Sequence, residues 1–212
     1  MKKILFIIIA LSISVSAPSK IKFGVKGGGN VSQFSGIDMG DNHGAAGGST
    51  FAYGFHAGGF ANYPFSNLFG IQAEALFSMQ GGKYLDNIED TKGSKGTLRA
   101  NYINIPLLLE IKPFRFPLSF LVGPQFGYCV NRTWSGSESI FIADRYKNFD
   151  FAFALGLQFA LNEHLTLGLR HNLGVTPSSK FDYTFVLGDQ PYSGSAKGEH
   201  NRVLHLSASW TF

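Results

Sequence analysis

Near the end of the chain His205 and Ser207 stand two residues apart, a general base and a hydroxyl nucleophile on the same side of any extended segment. Such a pair could carry out acyl transfer if the imidazole reached the hydroxyl. The remaining chemistry-bearing groups are dispersed: Lys22, Lys26, His56, Glu74, Asn104, Glu110, Asp150 and Arg170 fall on different stretches. His43, His56, His164, His171, His200 and His205 form no close ligand pair on a common loop, so no metal site is expected. Cys129 is the single cysteine, which excludes an intramolecular disulfide and a cysteine-based zinc site. The runs Gly27 to Gly29 and Gly47 to Gly48 do not precede helices, so they are not phosphate loops. No cofactor is expected.

The elements that carry these groups follow from an unusual composition. Only 15% of the residues are charged, 15% are aromatic and 26 of 212 are glycine, against an average glycine usage of about 7%. Mean hydropathy is +0.05, too low for a bundle of membrane helices, which need long apolar runs. The net charge of +4 is spread over 18 scattered Lys and Arg, without the cluster that grips nucleic acid.

Lys2 and Lys3 precede an apolar run from Ile4 to Ile13, followed by the small residues Ser14, Ser16, Ala17 and Ser19. This is the layout of a secretory signal peptide over residues 1–19, with cleavage between 16 and 20. Residues 20–212 then form one domain.

Within that domain period-two alternation appears eight times. It is clearest from Phe149 to Leu161, where Phe149, Phe151, Phe153, Leu155, Leu157, Phe159 and Leu161 alternate with Asp150, Ala152, Ala154, Gly156, Gln158 and Ala160. The other segments run Ile21 to Val31, Phe51 to Tyr63, Leu68 to Gln80, Leu98 to Ile111, Leu118 to Val130, Leu165 to Leu173 and Arg202 to Phe212. One face is large and apolar, the other small or polar. A membrane barrel turns the first to lipid and fills its interior with the second. The fold class expected is all-β: an eight-stranded antiparallel up-and-down transmembrane barrel of OmpA/OmpX-type size.

The connections orient it. Ser32 to Thr50, Gly81 to Thr97, Asn131 to Lys147 and Thr176 to Glu199 are long and polar, whereas Pro64 to Asn67, Pro113 to Phe116 and Asn162 to His164 are tight. Outer-membrane barrels have short periplasmic turns and long extracellular loops, so both termini are expected in the periplasm. Tyr53, Tyr63, Phe69, Tyr128 and Trp210 lie near strand ends, as interfacial aromatic girdles do.

Several strings, GFHAGGFANYPFSNLFGIQAEALFSMQGG (Gly54 to Gly82), NYINIPLLLEIK (Asn101 to Lys112), LVGPQFGY (Leu121 to Tyr128), LRHNLG (Leu169 to Gly174) and SASWTF (Ser207 to Phe212), together resemble the PorT-like outer-membrane β-barrel family. That resemblance covers essentially the whole mature chain and implies a porin-family or outer-membrane barrel protein in a Gram-negative envelope. The terminal Phe212, with Trp210 and Ala208 on its face, resembles the C-terminal signal read by the barrel-assembly machinery.

With the large residues facing lipid, Lys22, Lys26, His56, Glu74, Asn104, Glu110, Asp150, Arg170 and His205 are expected in a polar network inside the lumen, with Glu74 and Arg170 central. An eight-stranded interior is filled by side chains, which favours a structural network over a conduction path. Lipid A deacylation or palmitoyl transfer is the sharpest enzyme reading of His205 and Ser207. Their position argues against it, because they lie near the periplasmic end and point inward, away from a substrate in the outer leaflet. The expectation is therefore a non-enzymatic outer-membrane protein with no catalytic residues and a structural or surface-interaction role through its extracellular loops. A narrow pore for ions or small solutes and an accessory role in protein secretion remain alternatives. Expected partners are outer-membrane lipid and lipopolysaccharide, the assembly machinery during biogenesis and another envelope protein, with no nucleic acid. Lys83, Lys92 and Lys95 beside Asp86, Glu89 and Asp90, with Tyr192 and Lys197 further on, are the loop groups available for such contacts.

Overall fold

The computed structural model describes residues 20–35, 49–85, 95–113, 116–136, 147–177, 181–187, 190–196 and 200–212. The expected leader at 1–19 and the loop residues Asp86, Glu89, Asp90, Lys92 and Lys197 lie outside them. Ten strands are described: β1 (Lys22–Ser35), β2 (Thr50–Pro64), β3 (Phe69–Leu85), β4 (Lys95–Ile111), β5 (Leu118–Gly136), β6 (Phe149–Ala160), β7 (Leu165–Pro177), β8 (Phe181–Leu187), β9 (Gln190–Ala196) and β10 (His200–Thr211).

Eight of them close a barrel in the order β1-β10-β7-β6-β5-β4-β3-β2, every neighbouring pair antiparallel. Closure is made by β1 against β10, from Gly24 opposite Thr211 to Ser35 opposite His200. A closed ladder leaves no strand edge in hydrocarbon, where each unpaired backbone group would cost several kcal/mol. The remaining strands, β8 and β9, pair only with each other. The stretch Thr176 to Glu199, expected as a loop, therefore contains a hairpin. Its residues Tyr183, Thr184, Phe185 and Val186 favour extended backbone, but two such short strands were lost among the Gly, Ser and Asp around them.

Strands also reach beyond the expected ends, at the long-loop side apart from Pro64 on β2. β3 and β4 have 17 residues and β5 has 19. At a tilt of roughly 40° each residue climbs about 2.5 Å along the barrel axis, so an apolar band about 25 Å tall takes about ten. This wall therefore stands some seven to nine residues above the band. The alternation that marks a strand in lipid stops where lipid stops, and the sequence signal stops with it.

Three irregularities bend the wall, one of them between His200 and Arg202 where β10 pairs with β7. Asn101 pairs with Asn131 but Tyr102 pairs with Cys129, so Val130 is a bulge residue, and past it Arg132 and Trp134 share the lumen side with the fully buried Leu98. A second register shift lies on β2 between Phe51 and His56. Glycine is required where strands coil most closely: a Cβ on Gly28 would lie 1.9 Å from the Leu206 carbonyl oxygen, and one on Gly58 2.0 Å from that of Ala75.

The tight turns are held by their own polar atoms. Asn162 Oδ1 accepts from the amides of His164 and Leu165 at 2.9 and 2.7 Å, an Asx turn that reverses the chain between β6 and β7.

Candidate functional site

Alternation places one face of each strand outside and the other inside. The outside is apolar and exposed, with Phe23, Ile71, Ile105, Leu107, Phe120, Phe153, Leu157, Leu169 and Leu206 among many. Tyr53, Tyr63, Phe69, Tyr128 and Trp210 stand exposed with them. The inside carries the buried polar residues, including Lys26, His56, Gln72, Glu74, Ser78, Asn104, Glu110, Gln125, Asp150, Arg170, Asn172 and His205. The inside is not wholly polar, however: Leu76, Leu98, Tyr102, Leu108 and Leu121 are buried there, with Leu108, Leu121 and Ala154 forming one apolar cluster. Inward leucines on strands whose outward residues are also large leave no contrast of size for the sequence to reveal.

At the centre lies Glu74, on β3. Its side chain is 0% exposed. Oε1 accepts from Lys26 Nζ of β1 at 2.5 Å and from Gln72 Nε2 at 2.6 Å, and Oε2 accepts from Arg170 Nη1 of β7 at 2.6 Å. β3 and β7 are four strands apart in either direction around the ring, so this last bond spans the lumen. Two cations thus meet one carboxylate. Lys26 Nζ also lies 5.9 Å from the centroid of Phe60, an aromatic on the inner face of β2. The ring of Phe60 occupies the space that a side chain at position 24 would need, a Cβ there lying 2.4 Å from its Cζ, so Gly24 and Phe60 are matched.

Toward the long-loop end of that cluster His56 and His205 meet edge to face, ring centroids 4.6 Å apart at 82°. Their Nδ1 atoms are 3.2 Å apart, and Asn172 Nδ2 is 3.1 Å from His205 Nε2 and 2.8 Å from Gln125 Oε1. Asn172 can only donate through Nδ2, so His205 accepts at Nε2 and carries its proton on Nδ1. It donates that proton to His56 Nδ1, leaving the His56 proton on Nε2, an atom without a partner among the described residues. Both nitrogens of His205 are therefore engaged away from Ser207, whose hydroxyl donates to the Gly168 carbonyl at 3.4 Å. Among the described residues no base is placed to activate it.

Further toward the long loops Asn30 donates to Ser78 at 3.2 Å, Gln80 donates to Ser78 at 3.0 Å, and Asn201 donates to Gln80 at 2.5 Å and to Asp150 at 3.5 Å. Thr176 donates to Asp150 at 3.2 Å. Arg132 donates to Asn148 Oδ1 at 2.9 Å and to the Lys147 carbonyl. Toward the short turns, Asn62 donates to Glu110 at 2.8 Å and to Gln72 at 3.2 Å, while Lys112 Nζ lies 3.1 Å from Glu110. These residues line a cavity of about 310 Å³ at the mouth, with Lys22, Phe60, Phe116 and Glu163.

Two expected members do not join the network. Lys22 is exposed and lines the mouth, because the first residue of a strand lets a long stem carry its charge into water. Asn104 is buried on the lumen side, but its amide lies over Gly127 and its Nδ2 has no partner among the described residues. Asn62 and Gln72 link the Glu110 tier to the Glu74 cluster, Asn172 and Gln125 extend the histidine pair, and Asn201 joins Gln80 to Asp150. Parity on alternating strands is the one sequence signal that places these uncharged residues inside. At the C-terminus Trp210 and Phe212 both face outward; the Trp210 ring stacks on His164, centroids 5.2 Å apart, and the Phe212 amide donates to the Phe23 carbonyl at 2.9 Å.

A family model described as outer membrane protein beta-barrel domain matches residues 14–180. No curated protein matches the chain. Among solved structures, the outer membrane protein AlkL in lipid bilayers is similar at 18% identity with a TM-score of 0.50, covering 93% of this chain and 92% of that one. OprG from Pseudomonas aeruginosa is similar at 14% identity with a TM-score of 0.49, over 92% of this chain and 97% of that one. At this identity the likeness to AlkL is one of fold.

Proposed function

The chain belongs to the outer membrane protein beta-barrel domain family, and from that premise we propose that this outer-membrane barrel is closed to solutes and has a structural or surface-interaction role, exercised through its extracellular loops. The observation that carries the reading is the Glu74 carboxylate, gripped from β1 and β7 in the middle of the lumen. A solute crossing at that height would have to break both of these buried ion pairs, and removing one partner of such a pair costs about 3–5 kcal/mol.

The barrel is then a rigid scaffold, and its loops are where such scaffolds carry function. The tall wall of β3, β4 and β5 carries the strand ends that lead into two of the long connections above the apolar band. Within the family, the strings from Gly54 to Gly82 and from Asn101 to Lys112 support a PorT-like member. The engagement of His205 by His56 and Asn172 supports a non-enzymatic reading, and the outward Trp210 and Phe212 suit recognition by the assembly machinery.

The test is cross-linking in intact outer membranes of two forms, the native chain and one whose four long connections are replaced by tight turns. The proposal expects cross-links to envelope partners with the native chain and their loss in the trimmed barrel, with both forms silent in planar bilayers. Cross-links that survive trimming, or ion current through the native barrel, would overturn it.

A further inference from the structure

Charge on this barrel is sorted by face. Every described carboxylate of the eight barrel strands, Glu74, Glu110 and Asp150, is buried in the lumen. Lys83 and Arg99 on the tall wall and Arg202 on β10 are exposed, and all three stand toward the long-loop end. The described outer wall thus carries cations at one rim and no acid to balance them.

Height locates that rim. Counting about ten residues up from the short turns puts the end of the apolar band near Met79 on β3, Asn101 on β4 and Tyr128 on β5. The outward residues change character there, from Phe77 and Ile103 below to Asn101, Arg99, Asn131 and Thr133 above. Arg99 is the next outward residue above Asn101 on β4. Its Nη1 lies 3.6 Å from Met79 Sδ, so the guanidinium lies beside a residue at the top of the apolar band on the neighbouring strand. Arg99 pairs with Gly81, which makes Lys83 its diagonal neighbour, about 7–8 Å away and within reach of two long side chains. Neither cation has an ion pair among the described residues.

From this placement we propose that Arg99 and Lys83 form a site for the phosphate of an outer-leaflet lipid, a phosphorylated glycolipid of the lipid A type, with Arg202 making a weaker contact of the same kind on the opposite wall. A guanidinium recognises phosphate through two parallel N–H bonds and a nearby ammonium adds a point charge. Asn101, opposite Asn131 on the adjoining strand, offers further amide donors at the same rim. The site rests on the barrel's orientation and outer wall and not on the loop reading, so either can fail without the other.

The experiment is native mass spectrometry of the detergent-purified protein titrated with diphosphorylated lipid A, with its dephosphorylated counterpart and with inorganic phosphate as competitor. The native protein is expected to retain the diphosphorylated form alone. The K83Q/R99Q variant is expected to lose roughly tenfold or more in retention, and R202Q less, since each cation near a charged surface contributes on the order of one kcal/mol. An unchanged heat-modifiable gel shift certifies that each variant is folded; if K83Q/R99Q fails that check, R99K, which keeps the charge and loses the fork, is expected to bind between the native protein and R99Q. Equal retention by folded K83Q/R99Q, equal retention of the dephosphorylated lipid, or displacement by free phosphate would overturn the proposal.

Discussion

Arg170 on β7 reaches across the whole lumen to Glu74 on β3, with Nη1 2.6 Å from Oε2. Lys26 holds the other oxygen from β1. One carboxylate therefore ties three strands of the ring together, and the cluster carries one more positive than negative charge.

That imbalance makes the two sides of the cluster unequal. Glu74→Gln leaves two cations facing each other in a buried site and is expected to cost about 3–5 kcal/mol. Lys26→Met leaves the Arg170–Glu74 pair balanced, and its cost is expected to stay below about 2 kcal/mol. Urea unfolding in lipid vesicles measures both, and equal losses would show that the charge count is not what matters.

The coil of the first strand is as specific as the ion pairs. Gly28→Ala drives a Cβ to 1.9 Å from the Leu206 carbonyl oxygen, so β1 and β10 must separate, at a cost of about 1–3 kcal/mol or more. Gly29→Ala meets nothing nearer than 3.9 Å and is expected to change stability by less than about 0.5 kcal/mol. The heat-modifiability temperature of the two variants separates them.

Hydrogen bonding fixes the tautomers of the histidine pair. His205 is expected to be protonated at Nδ1 and His56 at Nε2, a pattern that nitrogen-15 NMR of the labelled rings reads directly. Asn172→Leu removes the donor to His205 Nε2 and is expected to scramble the assignment and cost about 1–3 kcal/mol for the buried acceptor left alone. The reverse tautomers in the native protein would rule out the relay from Asn172 to His56.

Most of this architecture is legible in the sequence because lipid enforces it. From Phe149 to Leu161 every large side chain faces outward and every small one inward, and that contrast gives strand, face and lumen content together. The same logic brings Lys26, Glu74 and Arg170 inside. It fails where lipid no longer acts: on the upper stretches of β3, β4 and β5, on the β8–β9 hairpin, and past the bulge at Val130, where parity changes and brings Arg132 and Trp134 to the lumen side. It also fails where inward residues are large, as with Leu76 and with Phe60, which packs against Gly24 and Lys26 of the adjacent β1.

Closure of the lumen by the Glu74 cluster is tested most directly by single-channel recording in planar bilayers. The native barrel is expected to give no steps above baseline, while Glu74→Ala, with its carboxylate gone and Lys26 and Arg170 repelling each other, is expected to give transient ones. Steady ohmic steps from the native protein, unchanged in the Glu74→Ala variant, would contradict closure.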